Sequence, residues 1–273
     1  MPSEYYTRDF YEERRAGATS SAAAIVPLVL KILPAKSVVD VGCGEGDWLA
    51  AFEKFGVGDI WGVDGPHVDA GHLKIPARKF QAADLTKPFR MDRTFDLAVS
   101  LEVAEHLPAT SAAIFVESLV RLAPAILFSA AIPFQGGIHH VNEQWADTWA
   151  GLFREQNYLA VDFVRKRVWR NESVDWWYAQ NTMLFAHPRL LESNAALRTE
   201  FEQTNADQLS LVHPRKYLEV AGRPPAPAPS WGVKGASRLL MASVSDAVRR
   251  RISSMLGKET TESKNGNAAN TKG

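Results

Sequence analysis

The feature that most constrains the fold of this 273-residue chain is the stretch SVVDVGCGEGD at residues 37–47. Its first half, Ser37–Val41, is short and apolar and predicts a buried strand. Gly42, Gly44 and Gly46 follow at alternate positions, and glycine adopts left-handed backbone without steric cost. A helix is predicted directly afterwards. A strand, a glycine-rich turn and a helix N-terminus together present backbone N–H groups to a ligand, so the stretch predicts a binding turn.

Strand-like and helix-like segments alternate along the middle of the chain, which predicts a mostly parallel sheet with helices on both faces. We therefore predict a Rossmann-like α/β fold with seven strands, whose ligands bind at the carboxyl ends of the strands. The predicted strands are Ser37–Val41, Asp59–Val63, Lys79–Ala82, Phe95–Ser100, Ala125–Ala131, Leu159–Val168 and Thr182–Ala186. The predicted helices between them are Glu45–Phe55, Thr110–Leu122 and Glu143–Gln156.

Five segments can be separated along the chain. Residues 1–36 predict an N-terminal helical lead-in that serves as a lid over cofactor and substrate, and residues 37–221 form the predicted central domain. Residues 222–235 are rich in proline and predict a linker. Residues 236–258 predict an amphipathic basic helix, and the polar residues 259–273 predict a disordered tail.

Composition excludes several classes of protein. Hydrophobic residues make up 46% of the chain, and both Lys plus Arg and Asp plus Glu total 31, so the formal charge is zero. This balance argues against a nucleic-acid partner bound through a broad basic face. The single cysteine, Cys43, excludes an intramolecular disulfide and fits a reducing compartment. No bilayer-spanning stretch or secretory signal is recognised, so we expect a cytoplasmic protein.

Acidic residues around the glycine turn narrow the choice of ligand. Asp40, Glu45 and Asp47 place three carboxylates there. Carboxylates repel a pyrophosphate and favour a ligand that carries an ammonium or sulfonium group. A P-loop would continue with lysine and serine or threonine, whereas Gly46 is followed by Asp47 and Trp48. The ligand is therefore predicted to be cationic.

Two further acids follow the second and third predicted strands. Asp64 is placed to bind both hydroxyls of a ribose. Asp84 is placed to reach an adenine amino group, while its neighbour Leu85 covers the ring. Each acid taken alone also fits a simple turn or helix cap. Their order after the glycine turn favours a nucleoside-binding role.

The motifs VVDVGCGEGDW, GVDG, AADL and FDLAVSLEVAEHLP, in this order, resemble the class I S-adenosylmethionine-dependent methyltransferases over roughly residues 37–186. The resemblance implies that S-adenosylmethionine is the cofactor. It implies that the three glycines line its methionine end and that Glu102 lies at the boundary between cofactor and substrate. The cofactor-binding residues predicted in this way are Asp40, Gly42, Gly44, Gly46, Asp64, Asp84, Leu85 and Glu102.

The later run SAAIPFQGGIHHVNEQWADTW resembles bacterial methyltransferases of surface-polysaccharide and other glycan gene clusters. This resemblance implies a sugar, a glycan or another small molecule as the methyl acceptor. An N- or C-methyltransferase of a small metabolite is the first alternative. A protein that binds S-adenosylmethionine without catalysis, as an assembly partner, is the second.

Three histidines are candidates for the base that a hydroxyl acceptor requires, because imidazole titrates near neutral pH. His106 follows the fourth predicted strand, and His139 and His140 follow the fifth. We favour His140, whose neighbours lead into a helix. His106 also fits a role in ordering its loop.

A metal site at His139, His140 and Glu143 is a further interpretation, since two histidines and a carboxylate can coordinate a divalent ion. Adjacent side chains of a strand point in opposite directions, however, which counts against one ion shared by both histidines. We therefore predict no metal ligands.

Aromatic residues concentrate in the second half of the chain. Trp145 and the run Trp176, Trp177 and Tyr178 are candidates for a wall against which a sugar ring or flat substrate stacks. Most of these side chains also fit a role in the core. The basic run 165–167 adds positive charge on what is predicted to be a strand, typical of a solvated edge.

The predicted helix at residues 236–258 places apolar residues at every fourth position, and four arginines and one lysine supply its charge. Such a helix behind a flexible linker is typical of a peripheral membrane contact. It also fits docking on the central domain or on a second subunit. The sequence does not specify an oligomeric state.

Overall fold

The computed structural model describes residues 8–222, with side chains from residue 17 onward. The linker after residue 222, the predicted helix 236–258 and the tail 259–273 lie outside the described residues, as does the start of the lead-in. None of the helices within residues 8–222 is both long and apolar enough to span a bilayer.

A seven-stranded sheet forms the centre of the described chain, with the strand order β3-β2-β1-β4-β5-β7-β6. Neighbouring strands among the first five pair in parallel, whereas β7 runs antiparallel to both β5 and β6. The predicted Rossmann-like, mostly parallel sheet is therefore confirmed. The strands are β1 Ser37–Val41, β2 Asp59–Asp64, β3 Phe80–Ala82, β4 Leu97–Leu101, β5 Ala125–Ser129, β6 Leu159–Val161 and β7 Met183–Ala186.

Helices cover both faces of the sheet. Neighbouring side chains of β1 point to opposite faces, so Val38 belongs to one apolar core and Val39 to the other. The first core includes residues of α1 and α2, and the second includes residues of α3 and α4. The helices are α1 Arg8–Ile32, α2 Asp47–Lys54, α3 Ala112–Val120, α4 Ala146–Glu155, α5 Val164–Val168, α6 Trp176–Asn181, α7 Pro188–Ser193, α8 Ala195–Glu202 and α9 Pro214–Ala221.

The N-terminal helix α1 packs into the same body as the sheet. Ala22, Ile25, Val26 and Val29 are fully buried and join the core cluster that contains α2. Burying an aliphatic side chain contributes about 1.5–3 kcal/mol, so these contacts hold the second half of α1 firmly. This part of the lead-in is an integral element of the fold.

The predicted strand Leu159–Val168 is wrong in its second half, where the chain forms helix α5. One local and one distant contact hold Arg165 in this helix. Arg165 is only 2% exposed and binds the carboxylate of Asp162 through Nε at 2.8 Å and Nη2 at 2.7 Å. Its Nη1 also donates to the Leu209 carbonyl at 2.6 Å. The basic run is therefore partly buried and helical, not a solvated strand edge.

The predicted helix Glu143–Gln156 begins later than expected, at Ala146. Trp145 has extended backbone, and the Glu143 carboxylate binds backbone N–H groups of the preceding loop. Its oxygens accept the backbone N–H groups of Phe134 and Gly136, each at 2.7 Å. Residue 143 therefore serves the preceding loop rather than the helix.

Tyr158 provides a test of this packing. Its buried hydroxyl lies 3.0 Å from the Val120 carbonyl oxygen and 2.8 Å from that of Ala123, and donates its proton to this pair. Replacing Tyr158 with phenylalanine is expected to lower the free energy of unfolding by about 1–2 kcal/mol. Urea denaturation at neutral pH measures the difference.

Alkaline pH gives a second readout for the same variant. Burial raises the pKa of Tyr158 to about 12 in the folded chain, above the value of about 10 for an exposed tyrosine. The unfolded chain therefore loses this proton first, and the stabilisation present below pH about 10 is lost as the pH rises towards 12. The phenylalanine variant should lack this part of the loss, and an identical alkaline profile would contradict the assignment.

Candidate active site

The glycine turn after β1 has the backbone that its sequence predicts. Gly42, Gly44 and Gly46 have φ values of 84°, 52° and 91°, all in the left-handed region. A Cβ atom at Gly42 would also lie only 2.3 Å from Cγ2 of Val103. Glycine is therefore required at residue 42 by its backbone and by its neighbour, and the turn lies directly against the segment that follows β4.

Asp64 ties this turn to the end of β2. One carboxylate oxygen accepts the Gly44 N–H at 2.7 Å, and the other accepts the Gly65 N–H at 2.6 Å. Burial raises the pKa of Asp64, and the two N–H groups oppose that rise. Such a carboxylate is fixed at the carboxyl edge of the sheet, where the resemblance implies that it binds ribose.

The negative charge at the turn is smaller than three free carboxylates would give. Asp40 is buried, and burial, followed by the charges of Asp64 and Asp47, raises its pKa well above the usual range. Asp47 forms an ion pair with Lys74 and accepts a hydrogen bond from Thr19 Oγ1 at 2.8 Å. The structure therefore weakens the charge argument made from the sequence, although the carboxylates do gather there.

A cleft of about 460 Å³ opens beside β2 and β3, and Asp84, Leu85 and His67 are among its lining residues. Asp84 accepts hydrogen bonds from the backbone and side chain of Thr86 and pairs with Lys87 at 2.8 Å. The Lys87 contact is the largest cause that lowers the pKa of Asp84 to about 2. Asp84 thus orders its own turn while facing the cleft, and Leu85 forms part of the apolar wall.

Glu102, the first residue after β4, has a φ of 55°, which is uncommon for a residue other than glycine. Its two carboxylate oxygens accept Asn181 Nδ2 at 3.0 Å and Gln135 Nε2 at 2.8 Å. Strained backbone of this kind persists where surrounding contacts enforce it. Sequence reasoning missed Gln135 and Asn181, because they are distant in the chain and carry no motif.

Helix α9 is fastened to the same network. The Lys216 ammonium is buried and donates to the Gln135 carbonyl oxygen at 2.7 Å, with Glu219 at 3.1 Å. The backbone N–H of His213, just before the helix, donates to Gln180 Oε1 at 2.7 Å. These residues also lay outside the sequence prediction, since a lone lysine in a polar helix carries no signal.

The loop with His139 and His140 is held against the segment after β4. The Glu105 carbonyl accepts the backbone N–H groups of Val141 at 2.9 Å and Asn142 at 3.0 Å. Asn142 Nδ2 donates in turn to the Ala104 carbonyl at 3.3 Å. Two loops that are far apart in the sequence therefore meet at the carboxyl edge of β4 and β5.

These contacts bring His106 and His140 together, with ring centroids 4.9 Å apart and planes perpendicular. His140 Nδ1 lies 2.9 Å from Glu143 Oε1, and His106 Nδ1 lies 3.3 Å from the His139 carbonyl oxygen. Carboxylate and carbonyl oxygens only accept, so both Nδ1 atoms donate. This tautomer leaves the lone pair of each neutral ring on Nε2.

His139 takes part differently from His140. It has a φ of 59° and contacts His106 through its backbone carbonyl. In the set His139, His140 and Glu143, which the sequence argued against as a metal site, Glu143 orients His140 and His139 contributes its backbone carbonyl. Among the sequence candidates, the structure pairs His140 with His106.

Glu105 lies beside this pair and is fully buried, and neither of its carboxylate oxygens makes a hydrogen bond of normal geometry with the described residues. The backbone N–H groups of Glu105 and Ala131 and the carboxyl of Glu102 are close enough to affect its pKa. Burial and the charge of nearby Glu102 raise its pKa well above the usual range. One oxygen of Glu105 and one nitrogen each of His106 and His140 all lie within 4.8 Å of one another. We call Glu105, His106 and His140 the histidine cluster.

The histidine cluster borders the predicted cofactor site, which consists of the glycine turn and the cleft that Asp84 faces. Val103, two residues before Glu105, contacts Gly42 of the glycine turn. Leu107, the residue after His106, lines the cleft that Asp84 faces. A ligand that extends from the glycine turn into that cleft would therefore pass along the segment carrying the cluster.

The predicted aromatic wall is divided between packing and surface. Tyr178 is buried edge-on against Trp48 at 5.2 Å, and Trp177 packs against the core. Trp176 lies under the Lys216 ammonium, 5.6 Å from the ring centre, while Trp145 is 41% exposed. Trp145 and Trp176 are thus the members with a free or partly free face.

Residues 11–211 match the model of a family described as methyltransferase domain. None of the curated proteins compared with the chain matches it significantly. Among solved structures, the sugar N-methyltransferase KedS8 from Streptoalloteichus sp ATCC 53650 aligns over 65% of this chain and 91% of its own, with 15% identity and a TM-score of 0.51.

Two other solved structures align less well. SAM-bound CalS10, an amino pentose methyltransferase from Micromonospora echinaspora, is 14% identical over 67% of this chain and 98% of its own, with a TM-score of 0.49. Streptomyces venezuelae DesVI is 24% identical with a TM-score of 0.39, over 47% of this chain and 57% of DesVI. The likeness to KedS8 shows a shared fold.

Proposed function

Because the chain belongs to the methyltransferase domain family and is an S-adenosylmethionine-dependent methyltransferase, we propose that it transfers the methyl group to a hydroxyl oxygen of a sugar, a glycan or a similar small acceptor. The observation that carries this proposal is the pair His106 and His140. Both rings contact an acceptor oxygen through Nδ1, which assigns the lone pair of each neutral ring to Nε2.

A hydroxyl acceptor explains why such lone pairs are needed. Methyl transfer is an in-line displacement at the carbon bound to sulfur, and the leaving thioether requires no proton. A neutral amine can attack without help, whereas an alcohol must lose its proton during attack. A nitrogen lone pair can promote this loss by accepting the proton or by holding a cation that binds the oxygen. Both routes need the His140 tautomer that carries its proton on Nδ1 and its lone pair on Nε2, as the contact between Nδ1 and Glu143 implies.

The surroundings of the histidine cluster support a polar, ring-shaped acceptor. Gln135 and Asn181 place amide groups around Glu102 at the expected boundary between cofactor and substrate. Trp145 offers an exposed aromatic face of the kind that stacks on sugar rings. The resemblance of the loop sequence to methyltransferases of glycan gene clusters supports the same class.

The direct test is to incubate the purified full chain with isotope-labelled S-adenosylmethionine and a fractionated extract, together with a panel of sugars and amino sugars. Mass spectrometry of the labelled product then locates the new methyl group. We expect it on an oxygen of a carbohydrate. A product methylated on nitrogen or carbon would contradict the proposal and support the alternative of an N- or C-methyltransferase.

Calorimetry separates the remaining alternative of a cofactor-binding assembly partner. We expect S-adenosylmethionine and its demethylated product to bind with one molecule per chain. Binding of both, with no labelled product from any fraction or any sugar, would favour a role without catalysis.

A further inference from the structure

We propose that Glu105, His106 and His140 bind a divalent transition-metal ion, and that the acceptor hydroxyl binds to this ion. Binding of the ion stands on the geometry of these three residues alone. Its part in catalysis rests on the proposed function. The proposal replaces the expectation, made from the sequence, that the chain has no metal ligands.

The composition of the histidine cluster is the first argument. Two imidazoles and one carboxylate are a common set of protein ligands for a catalytic ion, and three such ligands leave positions open for water or substrate. The three candidate ligand atoms lie within 4.8 Å of one another. Ligands bonded to one ion at about 2.1 Å lie about 3–4 Å apart, so a small side-chain adjustment closes the site.

The groups behind the two rings are the second argument. A histidine that binds a metal usually donates its other ring N–H to a carboxylate or a backbone carbonyl. His140 donates to Glu143, which is itself fixed by the N–H groups of Phe134 and Gly136. His106 donates to the carbonyl of His139. Both rings therefore have the Nδ1 contact that a metal-binding histidine usually shows.

Glu105 supplies the third argument. A buried carboxylate without a hydrogen bond is costly, and native structures rarely tolerate one without a reason. Both oxygens of Glu105 lack a hydrogen bond of normal geometry, with only weak contacts to nearby backbone N–H groups, and the carboxyl of Glu102 lies close to them. No lysine or arginine within the described part of the chain forms an ion pair with either glutamate. A divalent cation would supply the missing partner.

The mixed donor set indicates which ions fit. Mg²⁺ and Ca²⁺ prefer oxygen ligands, whereas imidazole nitrogens together with a carboxylate suit Zn²⁺, Mn²⁺ or Co²⁺. The ion would act as a Lewis acid, without change of oxidation state. It lowers the pKa of the hydroxyl that binds it. The proton leaves to solvent water, the oxygen forms a bond to the methyl carbon, and the bond from that carbon to sulfur breaks.

The test is isothermal titration of the untagged, chelator-treated full chain with Mn²⁺ and Zn²⁺, with Mg²⁺ for comparison. We expect one Mn²⁺ or Zn²⁺ ion per chain and much weaker binding of Mg²⁺. The substitutions Glu105→Gln and His106→Ala should each weaken Mn²⁺ binding by about 100-fold or more. Glu143→Gln, which alters the support of His140 and the loop contacts with Phe134 and Gly136 but removes no proposed ligand, should weaken it by about 10–100-fold.

Glu117→Gln is the matched control, because Glu117 is an exposed glutamate on α3 that pairs with Arg121. Its affinity for Mn²⁺ should equal that of the unchanged chain. Mn²⁺ should also raise the melting temperature of the unchanged chain and of this control, but not that of Glu105→Gln. Glutamine keeps the shape of the side chain, so Glu105→Gln is expected to fold. A cooperative unfolding transition in urea checks that it does.

The absence of Mn²⁺ and Zn²⁺ binding at about 1 mM would overturn the inference, as would unchanged affinity in both Glu105→Gln and His106→Ala. The two proposals fail separately. Full hydroxyl methylation by the chelator-treated chain would remove the metal from catalysis and leave the proposed function standing. Metal binding lost in the variants, together with methylation on nitrogen, would keep the site and contradict the proposed function.

Discussion

Replacing His140 with alanine is expected to reduce the turnover number by about 10²–10⁴-fold while the affinity for S-adenosylmethionine stays unchanged. The ring centroids of His140 and His106 lie 4.9 Å apart, and the contact between His140 Nδ1 and Glu143 orients the ring before the acceptor binds. The predicted cofactor-binding residues lie elsewhere, at the glycine turn and at Asp64. Single-turnover kinetics and calorimetry measure the two quantities separately.

His72→Ala is the matched control for this experiment. His72 is a histidine of a short 3₁₀ turn with a side chain 51% exposed, and it contacts Asp69 at the surface. Its loss should leave the turnover number unchanged. If His140→Ala retained most of the turnover, neither direct proton removal nor a metal ion at His140 would account for catalysis, and a nitrogen or carbon acceptor would be favoured.

Replacing Asp64 with asparagine is expected to weaken S-adenosylmethionine binding by about 100-fold, which corresponds to about 2.7 kcal/mol. Both carboxylate oxygens accept backbone N–H groups, from Gly44 and Gly65. The asparagine amide would face one of these donors with its own NH₂ group. The ribose would also lose hydrogen bonds to a charged group, each contributing about 1.5–3 kcal/mol.

Calorimetry with S-adenosylmethionine and with its demethylated product checks this assignment. Both carry the same ribose, so Asp64→Asn should weaken both to a similar extent. Asp92→Asn, which changes an exposed aspartate, should change neither. Unaltered affinity in Asp64→Asn would show that the ribose is bound elsewhere.

The parts of the fold that the sequence predicted correctly are those governed by local pattern. β1 matches its predicted bounds because an apolar run ends at a glycine, and the turn needs glycine because residues 42, 44 and 46 have positive φ. The strands β4 and β5 were recognisable because central strands are apolar on both faces. Their burial throughout shows why.

The features that escaped prediction depend on distant contacts. In helix α5, Arg165 forms an ion pair with Asp162 and donates to the carbonyl of Leu209. The contact with Leu209 joins distant parts of the chain and cannot be predicted from a local pattern. Glu102 was predicted to lie at the boundary between cofactor and substrate, but its hydrogen-bond partners Gln135 and Asn181 were not predicted. A polar side chain becomes significant only when the fold places it opposite another.

The same limit applied to the histidines. Their positions after two strands predicted that all three would lie at one edge of the sheet. The sequence could not show which atoms face inward, and the rule for adjacent side chains of a strand did not apply, because residues 139 and 140 lie in a loop. Glu105 was not among the predicted site residues, because the burial of a side chain is visible only in three dimensions.

Helix α9 has a practical consequence for anyone who shortens this protein. The family match ends at residue 211, yet Lys216 lies beyond it and anchors the carbonyl of Gln135, whose side chain holds Glu102. A fragment that ends at residue 211 would keep every motif but lose the contact between Lys216 and Gln135, which supports the candidate active site. The functional unit of this chain therefore extends past the part it shares with its family.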